Sequence, residues 1–200
     1  VSSDAVKLIT SESISDIDEQ IVKYYLGTIN EIKSKTLKNE FINILSNSKD
    51  QNNANNKIYY IIKKLYEIGE IQKAYNLVKE INFDLISNQE HLVYFQVIEL
   101  NYLLSTFKLT EVCELKNFLL DNSITLPSFL LEKTDIFCLT IDNKLAEAKL
   151  LNSLLKDSEE TIDISFQKLF DYMILEEKEV ANFNSLNLMN SKDLIFLYSA

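Results

Sequence analysis

The sequence holds few of the residues that interrupt regular secondary structure. Its 200 residues include only 2 Gly and 1 Pro. Sheet proteins use such residues at their many turns, and phosphate-binding loops need several glycines close together. The scarcity therefore disfavours all-β and Rossmann-like folds, and it excludes a Walker-type loop and a GxGxxG motif.

Arginine is absent, and basic residues are outnumbered by acidic ones. The chain carries 20 Lys against 30 Asp and Glu, which gives a formal net charge of −10. Binding to a phosphate backbone needs a concentrated basic stripe, and arginine supplies the planar fork that recognises phosphate and guanine. Neighbouring glutamates dilute the two densest lysine groups, which we interpret as solvated faces: Lys33/Lys35/Lys38 and Lys57/Lys63/Lys64. The sequence therefore predicts no binding of nucleic acid.

Residues suited to catalysis and metal binding are also scarce. His91 is the one histidine of the chain, without a Cys or His partner at metal-ligand spacing, and we expect it to be partly exposed near a helix start. Three clusters of acidic residues are interpreted as helix starts or exposed faces, where negative charge is favourable or harmless: Asp16/Asp18/Glu19, Glu159/Glu160/Asp163 and Glu176/Glu177/Glu179. We predict no metal site, no cofactor and no enzymatic activity.

No apolar run approaches the ~18 residues of a transmembrane helix, so no transmembrane segment is predicted. The chain starts at Val1 without Met, and residues 190–200 stop inside an apolar run. We expect a longer natural protein, which would lie in a periplasm if Val1 follows a removed signal peptide and in a cytoplasm otherwise.

Apolar residues recur at helical spacing along almost the whole chain, which predicts an all-α fold. One such stripe predicts a helix over 57–68, and Gly69 is placed to end it. A second stripe begins at Ile71 and runs to Ile81. The two segments together predict an αα-hairpin with a very tight turn.

This hairpin pattern occurs three times. The second copy, Leu103 to Leu119, follows the first at an offset of 38 residues, and the third, Leu139 to Leu155, follows 36 residues later. Hairpins with a period in the mid-thirties cannot bury their apolar faces alone, so we expect them to stack. Asn143 replaces Gly69 at the turn and tolerates the same left-handed backbone, whereas Phe107 predicts a less tight middle turn. The first copy reads Leu65-x3-Gly69-x-Ile71-x2-Ala74-x2-Leu77-x3-Ile81.

The same pattern suggests a division of the chain into three parts. Residues 1–47 form a divergent pair of helices, and residues 48–56 form an Asn-rich linker loop. Residues 57–200 carry the repeats, at about 57–82, 89–121, 127–156 and, incompletely, 160–200. Pro127 falls at an expected helix start, where its missing N–H costs nothing.

At Gly69-x4-Ala74, echoed by Asn143-x4-Ala148, the chain resembles the tetratricopeptide-like family of α-solenoids. The resemblance covers residues 57–156 and implies stacked antiparallel hairpins in a right-handed superhelix, a scaffold whose curved surface holds another protein. Four residues beyond the Ala, where that family has a large aromatic, this chain has Val78, Lys116 and Asn152. Ser3-Asp4-Ala5-Val6 and the helices that follow also resemble a group of helical-repeat proteins of alphaproteobacteria.

The two cysteines lie in consecutive predicted helices. Cys113 belongs to the second helix of copy two and Cys138 to the first helix of copy three, so a disulfide between them is one alternative. Two free, buried cysteines are the other, and we favour it because Cys commonly packs as a small hydrophobe. A disulfide would indicate an oxidising compartment, such as a bacterial periplasm.

Candidate residues for partner binding lie on the first helix of copy one. Tyr59, Lys63 and Tyr66 point away from its apolar stripe, on the side that first helices present to the concave surface of a solenoid. The alternative is that the tyrosines pack on the preceding helix pair. We predict a non-catalytic scaffold that binds a protein or peptide. The competing hypothesis is a helical-bundle enzyme or ligand-binding domain with an internal pocket.

Overall fold

The structure, a computed structural model, describes residues 14, 17–29, 32–47, 56–158 and 163–174. These residues form nine α-helices and two short 3₁₀-helices, and none of them lies in a strand, as the all-α prediction requires. Predictions for Ser3–Val6, for 48–55, for 159–162 and for 175–200 lie outside the described residues. The helices are α1 (Glu19–Thr28), α2 (Lys35–Ser46), α3 (Lys57–Glu67), α4 (Ile71–Glu80), α5 (Gln89–Ser105), α6 (Leu109–Asp121), α7 (Leu130–Ile141), α8 (Leu145–Ser158) and α9 (Ile164–Ile174).

Polar side chains set where several of these helices begin. Asp18 caps α1 by accepting a hydrogen bond from the Gln20 backbone N–H at 2.8 Å. Asp163 caps α9 in the same way, because its carboxylate accepts hydrogen bonds from the backbone N–H groups of Ser165 and Phe166 at 3.0 and 3.1 Å. Each carboxylate satisfies backbone donors that a helix start leaves unpaired. The acidic residues at these two positions therefore serve as helix caps.

The same tight turn joins α3 to α4, α5 to α6 and α7 to α8. At its centre, Gly69, Phe107 and Asn143 all have positive φ, at 87°, 58° and 59°. In each case the N–H of the next residue donates a hydrogen bond to the carbonyl five positions earlier in the chain. These hydrogen bonds run from Glu70 to Leu65 at 2.9 Å, from Lys108 to Leu103 at 3.0 Å and from Lys144 to Leu139 at 2.8 Å. This pattern is the Schellman motif, which satisfies the free carbonyls at a helix end.

The prediction of a looser turn at Phe107 was wrong. Phe107 adopts the left-handed conformation although its Cβ makes that conformation unfavourable. Its ring is 63% exposed, so no packing of the ring accounts for the turn. The two flanking helices and the repeated hydrogen bonds hold the backbone there.

A small or β-branched residue lies three positions inside the second helix of every hairpin. Ala74, Val112 and Ala148 are each fully buried, with 0% exposure. Small side chains at this position let the two helices of a hairpin approach closely. The chain divides into two compact units, residues 1–99 and 100–200, with the boundary inside α5. In the first unit α1 packs against α3, and in the second α7 packs against α6, α8 and α9.

Two lysines expected on a solvated face are instead buried. Lys57 and Lys64 are 9% and 5% exposed. The Lys64 ammonium donates to the carbonyl of Ile29, the C-cap of α1, at 3.0 Å and pairs with Glu67 at 2.7 Å. The Lys57 ammonium donates to the carbonyl of Ile17 at 3.2 Å. Free carbonyls at the end of α1 attract a cation, which explains why Lys64 is buried there.

Pro127 opens a 3₁₀-helix, Pro127–Phe129, that leads directly into α7. This position agrees with the predicted helix start. Among the described helices, none combines the length and the apolar character that crossing a membrane requires.

Candidate functional site

Aromatic side chains of α3 and α5 meet in the first unit and form one contiguous cluster. We call it the aromatic cluster, and it consists of Tyr59, Tyr60, Tyr66, His91, Tyr94 and Phe95. The four tyrosines are partly buried, whereas His91 and Phe95 are buried. The cluster therefore has an inner layer that belongs to the core and an outer layer of tyrosines that remains accessible.

Tyr59 lies at the centre of the aromatic cluster. Its ring stacks on the imidazole of His91, with centroids 3.8 Å apart and planes 8° from parallel. It also meets Tyr60 and Tyr94 edge to face, at 5.3 and 5.4 Å. Such pairs each contribute about 0.5–1.5 kcal/mol beyond the burial of area. The expectation of a partly exposed His91 was wrong, because the stack against Tyr59 leaves it only 8% exposed.

The other two predicted partner-binding residues belong to the same surface. The Lys63 ammonium lies 5.8 Å from the centroid of the Tyr59 ring, and Tyr66 meets Tyr94 at 6.3 Å. A second cation, Lys23 on α1, lies 5.7 Å from the Tyr60 centroid. Tyr59 and Tyr66 thus contact α5, which follows them in the chain.

His91, Tyr94 and Tyr60 were not among the predicted site residues. Tyr60 follows Tyr59 on α3, whereas the contacts of His91 and Tyr94 with Tyr59 join helices separated by the α4 segment. Such pairing between helices is not encoded in local periodicity. The spacing of His91, Tyr94 and Phe95 at i, i+3 and i+4 was the available signal, since it places the three on one face of α5. Together with the aromatic residues of α3, this face would have suggested that α3 and α5 pack against each other.

The electrostatics of the aromatic cluster follow from burial. Burial lowers the pKa of His91 below its ordinary value of 6.5, although Glu19 and Glu90 raise it in part. Burial raises the pKa of the Tyr94 phenol, and Glu67, Tyr59 and Tyr66 raise it further. Both groups are therefore neutral at pH 7, and the nearby lysines supply the positive charge of this surface.

A small cleft lies beside the Tyr59–His91 stack. Asn56, Ser87 and Asn88 line it together with the two stacked rings, Ile58, Ile86 and Phe95. Its volume is about 10 Å³, which is room for about one water molecule. The cleft can hold a solvent molecule or the tip of a side chain, and it is too small for a metabolite.

Cys113 and Cys138 form a disulfide in the second unit. Their Cα atoms lie 5.8 Å apart, and the bond joins α6 to α7. The sequence favoured two free thiols because Cys commonly packs as a small hydrophobe. No local pattern gives the distance between two helices, so the bond could not be predicted. The contact between consecutive helices that the disulfide alternative required is present here between α6 and α7.

In the part of the chain that the structure describes, polar side-chain pairs link the second helix of one hairpin to the helix that follows it. Lys79 on α4 pairs with Glu99 on α5 at 2.9 Å, and Lys116 on α6 pairs with Asp135 on α7 at 2.8 Å. Between α8 and α9, the amides of Asn152 and Gln167 bond each other. Lys116 and Asn152 occupy the positions where the tetratricopeptide-like pattern has an aromatic residue. At these positions this chain has a polar side-chain pair in place of an aromatic side chain.

Among the described residues, no group of three or more His, Cys, Asp or Glu side chains is arranged to hold a metal ion. The helices and their repeated turns define an all-α protein that contains helical hairpins. Comparisons with protein families, with curated proteins and with solved structures each found no match.

Proposed function

We propose that this chain is a helical-repeat scaffold, similar in arrangement to tetratricopeptide-like solenoids, that binds a protein partner through the aromatic cluster and performs no catalysis. The observation that carries the proposal is the threefold turn, in which Gly69, Phe107 and Asn143 share one backbone conformation. Beside each turn lies a fully buried residue, Ala74, Val112 or Ala148. Repeated hairpins of this kind build extended surfaces that suit the binding of other proteins.

The aromatic cluster is the surface best suited to a partner. Tyrosine is enriched at the energetic centres of protein interfaces because a large apolar ring carries a hydroxyl that can bond a partner. Here four partly buried tyrosines pack against aromatic neighbours, and the ammonium groups of Lys23 and Lys63 lie over two of their rings. A rigid surface loses little conformational entropy on binding. The chemistry fits a partner segment with apolar side chains and a carboxylate.

The competing hypothesis of an enzyme or ligand-binding bundle receives less support. It would need a buried pocket lined by His91, Cys113 or paired carboxylates. The cleft at His91 has a volume of about 10 Å³, whereas pockets for small molecules measure roughly 300–1,000 Å³. Cys113 is bonded to Cys138 and supplies no nucleophile. These features favour binding over catalysis.

Affinity capture with matched variants tests the proposal. The tagged full chain is cross-linked in the cells that make it, and the recovered proteins are quantified by mass spectrometry. We expect one protein whose recovery falls at least about tenfold when Lys63→Glu and Tyr66→Ala are combined, since central interface residues contribute about 2 kcal/mol or more.

The control combines Gln72→Ala and Asn76→Ala, two exposed positions on α4 of the same unit. It should leave recovery unchanged, because it alters a different face. Equal recovery with wild type and with the Lys63 and Tyr66 variant would contradict the proposal, provided that the unfolding midpoints of the three chains agree.

A further inference from the structure

The contact between α6 and α7 carries two different cross-links one helical turn apart. Cys113 and Lys116 stand three residues apart on α6, and their partners Cys138 and Asp135 stand three residues apart on α7, in reverse order. The helices therefore run antiparallel along this contact. A covalent bond closes one turn of it and an ion pair closes the next.

The two cysteine residues differ in their exposure to solvent. Cys138 is 2% exposed, whereas Cys113 is partly exposed. An attacking thiolate therefore reaches the Cys113 sulfur more readily. One turn along α6 from Cys113, the partly buried Lys116 ammonium is paired with the Asp135 carboxylate at 2.8 Å.

The corresponding contact between α8 and α9 is held without a covalent bond. There the Asn152 and Gln167 amides make the polar link, with both N–O distances at 2.9 Å. When the disulfide is open, the α6 and α7 contact would have a comparable link in Lys116 and Asp135. Buried apolar residues on α6, such as Val112 and Leu119, would still pack. Reduction should therefore loosen this contact without unfolding the unit.

We propose that the contact between α6 and α7 is redox-controlled, closed by the Cys113–Cys138 bond in an oxidising compartment and loosened when a dithiol reductant opens that bond. Such a device places the closed form in an oxidising environment. It also makes the rigidity of the repeat array depend on the thiol and disulfide balance around it.

The chemistry is ordinary thiol–disulfide exchange. On closing, the two thiols give up two protons and two electrons, and an acceptor disulfide becomes two thiols. On opening, a thiolate of the dithiol attacks the Cys113 sulfur, the sulfur–sulfur bond breaks, and Cys138 leaves as a thiolate that takes up a proton. The second thiol of the reductant then displaces Cys113, and the reductant leaves as a cyclic disulfide.

Hydrogen exchange of the full chain, followed by mass spectrometry with and without dithiothreitol, tests the proposal. Alkylation should find no free thiol before reduction and both thiols, of Cys113 and Cys138, after it. We expect amides of α6 and α7 to exchange about tenfold faster after reduction, while amides of α3 and α4 stay unchanged. The combined Cys113→Ser and Cys138→Ser variant should match the reduced wild type and ignore the reductant.

Asp135→Asn separates the two cross-links. In the oxidised Asp135→Asn variant, the disulfide should keep the exchange rate of the α6 amides within about twofold of the wild-type rate. Reduction should then accelerate α6 exchange more in this variant than in wild type, because both cross-links are lost. Free thiols before reduction would overturn the proposal. So would unchanged α6 exchange after reduction, or equal acceleration in α3 and α6. The measurements on wild type decide the matter even if a variant fails to fold.

Discussion

The side-chain amides of Asn152 and Gln167 donate to each other reciprocally, with both N–O distances at 2.9 Å. Both residues are buried, at 3% and 8% exposure. Each amide thereby satisfies one donor and one acceptor of the other in a setting where an unpaired group would be costly. The pair fixes the position of α8 against α9 more narrowly than apolar contacts could.

Breaking this amide pair should destabilise the protein, whereas replacing both partners should not. Asn152→Leu leaves the Gln167 amide buried without its partner, and we expect a loss of about 2 kcal/mol in the free energy of unfolding. The combined Asn152→Leu and Gln167→Leu chain should recover to within about 1 kcal/mol of wild type. Urea unfolding measures both values. Losses under about 0.5 kcal/mol in the single variant would show that the pair is unimportant.

The two glycines should respond in opposite directions to alanine. Gly69 has φ of 87°, and Gly27 lies inside α1; nothing lies within 4 Å of an added Cβ at either position. Gly69→Ala should therefore lose about 1 kcal/mol through backbone strain alone. Gly27→Ala should gain about 0.5–1 kcal/mol, because alanine favours the helix. Thermal unfolding of the two variants checks the signs, and a stabilising Gly69→Ala would contradict the assigned turn.

Removing the Tyr59 ring should cost more than removing an exposed tyrosine ring. Tyr59→Ala takes away the stack on His91 and the edge contacts with Tyr60 and Tyr94, for an expected loss of about 2–3 kcal/mol. Tyr24, which is 66% exposed on α1, is the matched control. Tyr24→Ala should change stability by less than about 0.5 kcal/mol. Similar losses at the two positions, measured in urea, would argue against a rigid aromatic cluster.

Stability should fall on mild acidification because of His91. Burial holds its pKa below 6.5 in the folded chain, so the unfolded chain binds the proton more readily. The free energy of unfolding should be level above pH 7 and decline as the pH falls from 6.5 toward the folded pKa. His91→Phe keeps a ring for Tyr59 and removes the titration. The difference in free energy of unfolding between the two chains should change with pH across this range. A difference that stays constant with pH would show that the pKa of His91 is not lowered.

Local sequence pattern predicted the helices and the turns. Apolar spacing placed α3 within one residue of Lys57–Glu67, and Gly69 and Asn143 marked turns that do have positive φ. The acidic residues Asp18 and Glu19 were interpreted as a helix start, and Asp18 is the N-cap of α1. Phe107 was misjudged because the helices on either side of a turn can impose a conformation that its own residue disfavours.

The pairing of side chains between helices could not be predicted. The contacts of Tyr59 with His91, of Lys116 with Asp135 and of Cys113 with Cys138 depend on the distance and rotation of packed helices. Periodicity reports which face of a helix is buried and gives no information on what covers it. For the same reason Lys64 was interpreted as solvated although its ammonium reaches the end of α1.

Site-specific photo-cross-linking tests the central claim most directly. A photoreactive amino acid is placed at Lys63, beside the Tyr59 ring, or at Gln72, which is exposed on α4 of the same unit. Irradiation of the cells that make the protein should give one discrete cross-linked protein at position 63 and none at position 72. Equal products at both positions, or a product at position 72 alone, would contradict binding through the aromatic cluster.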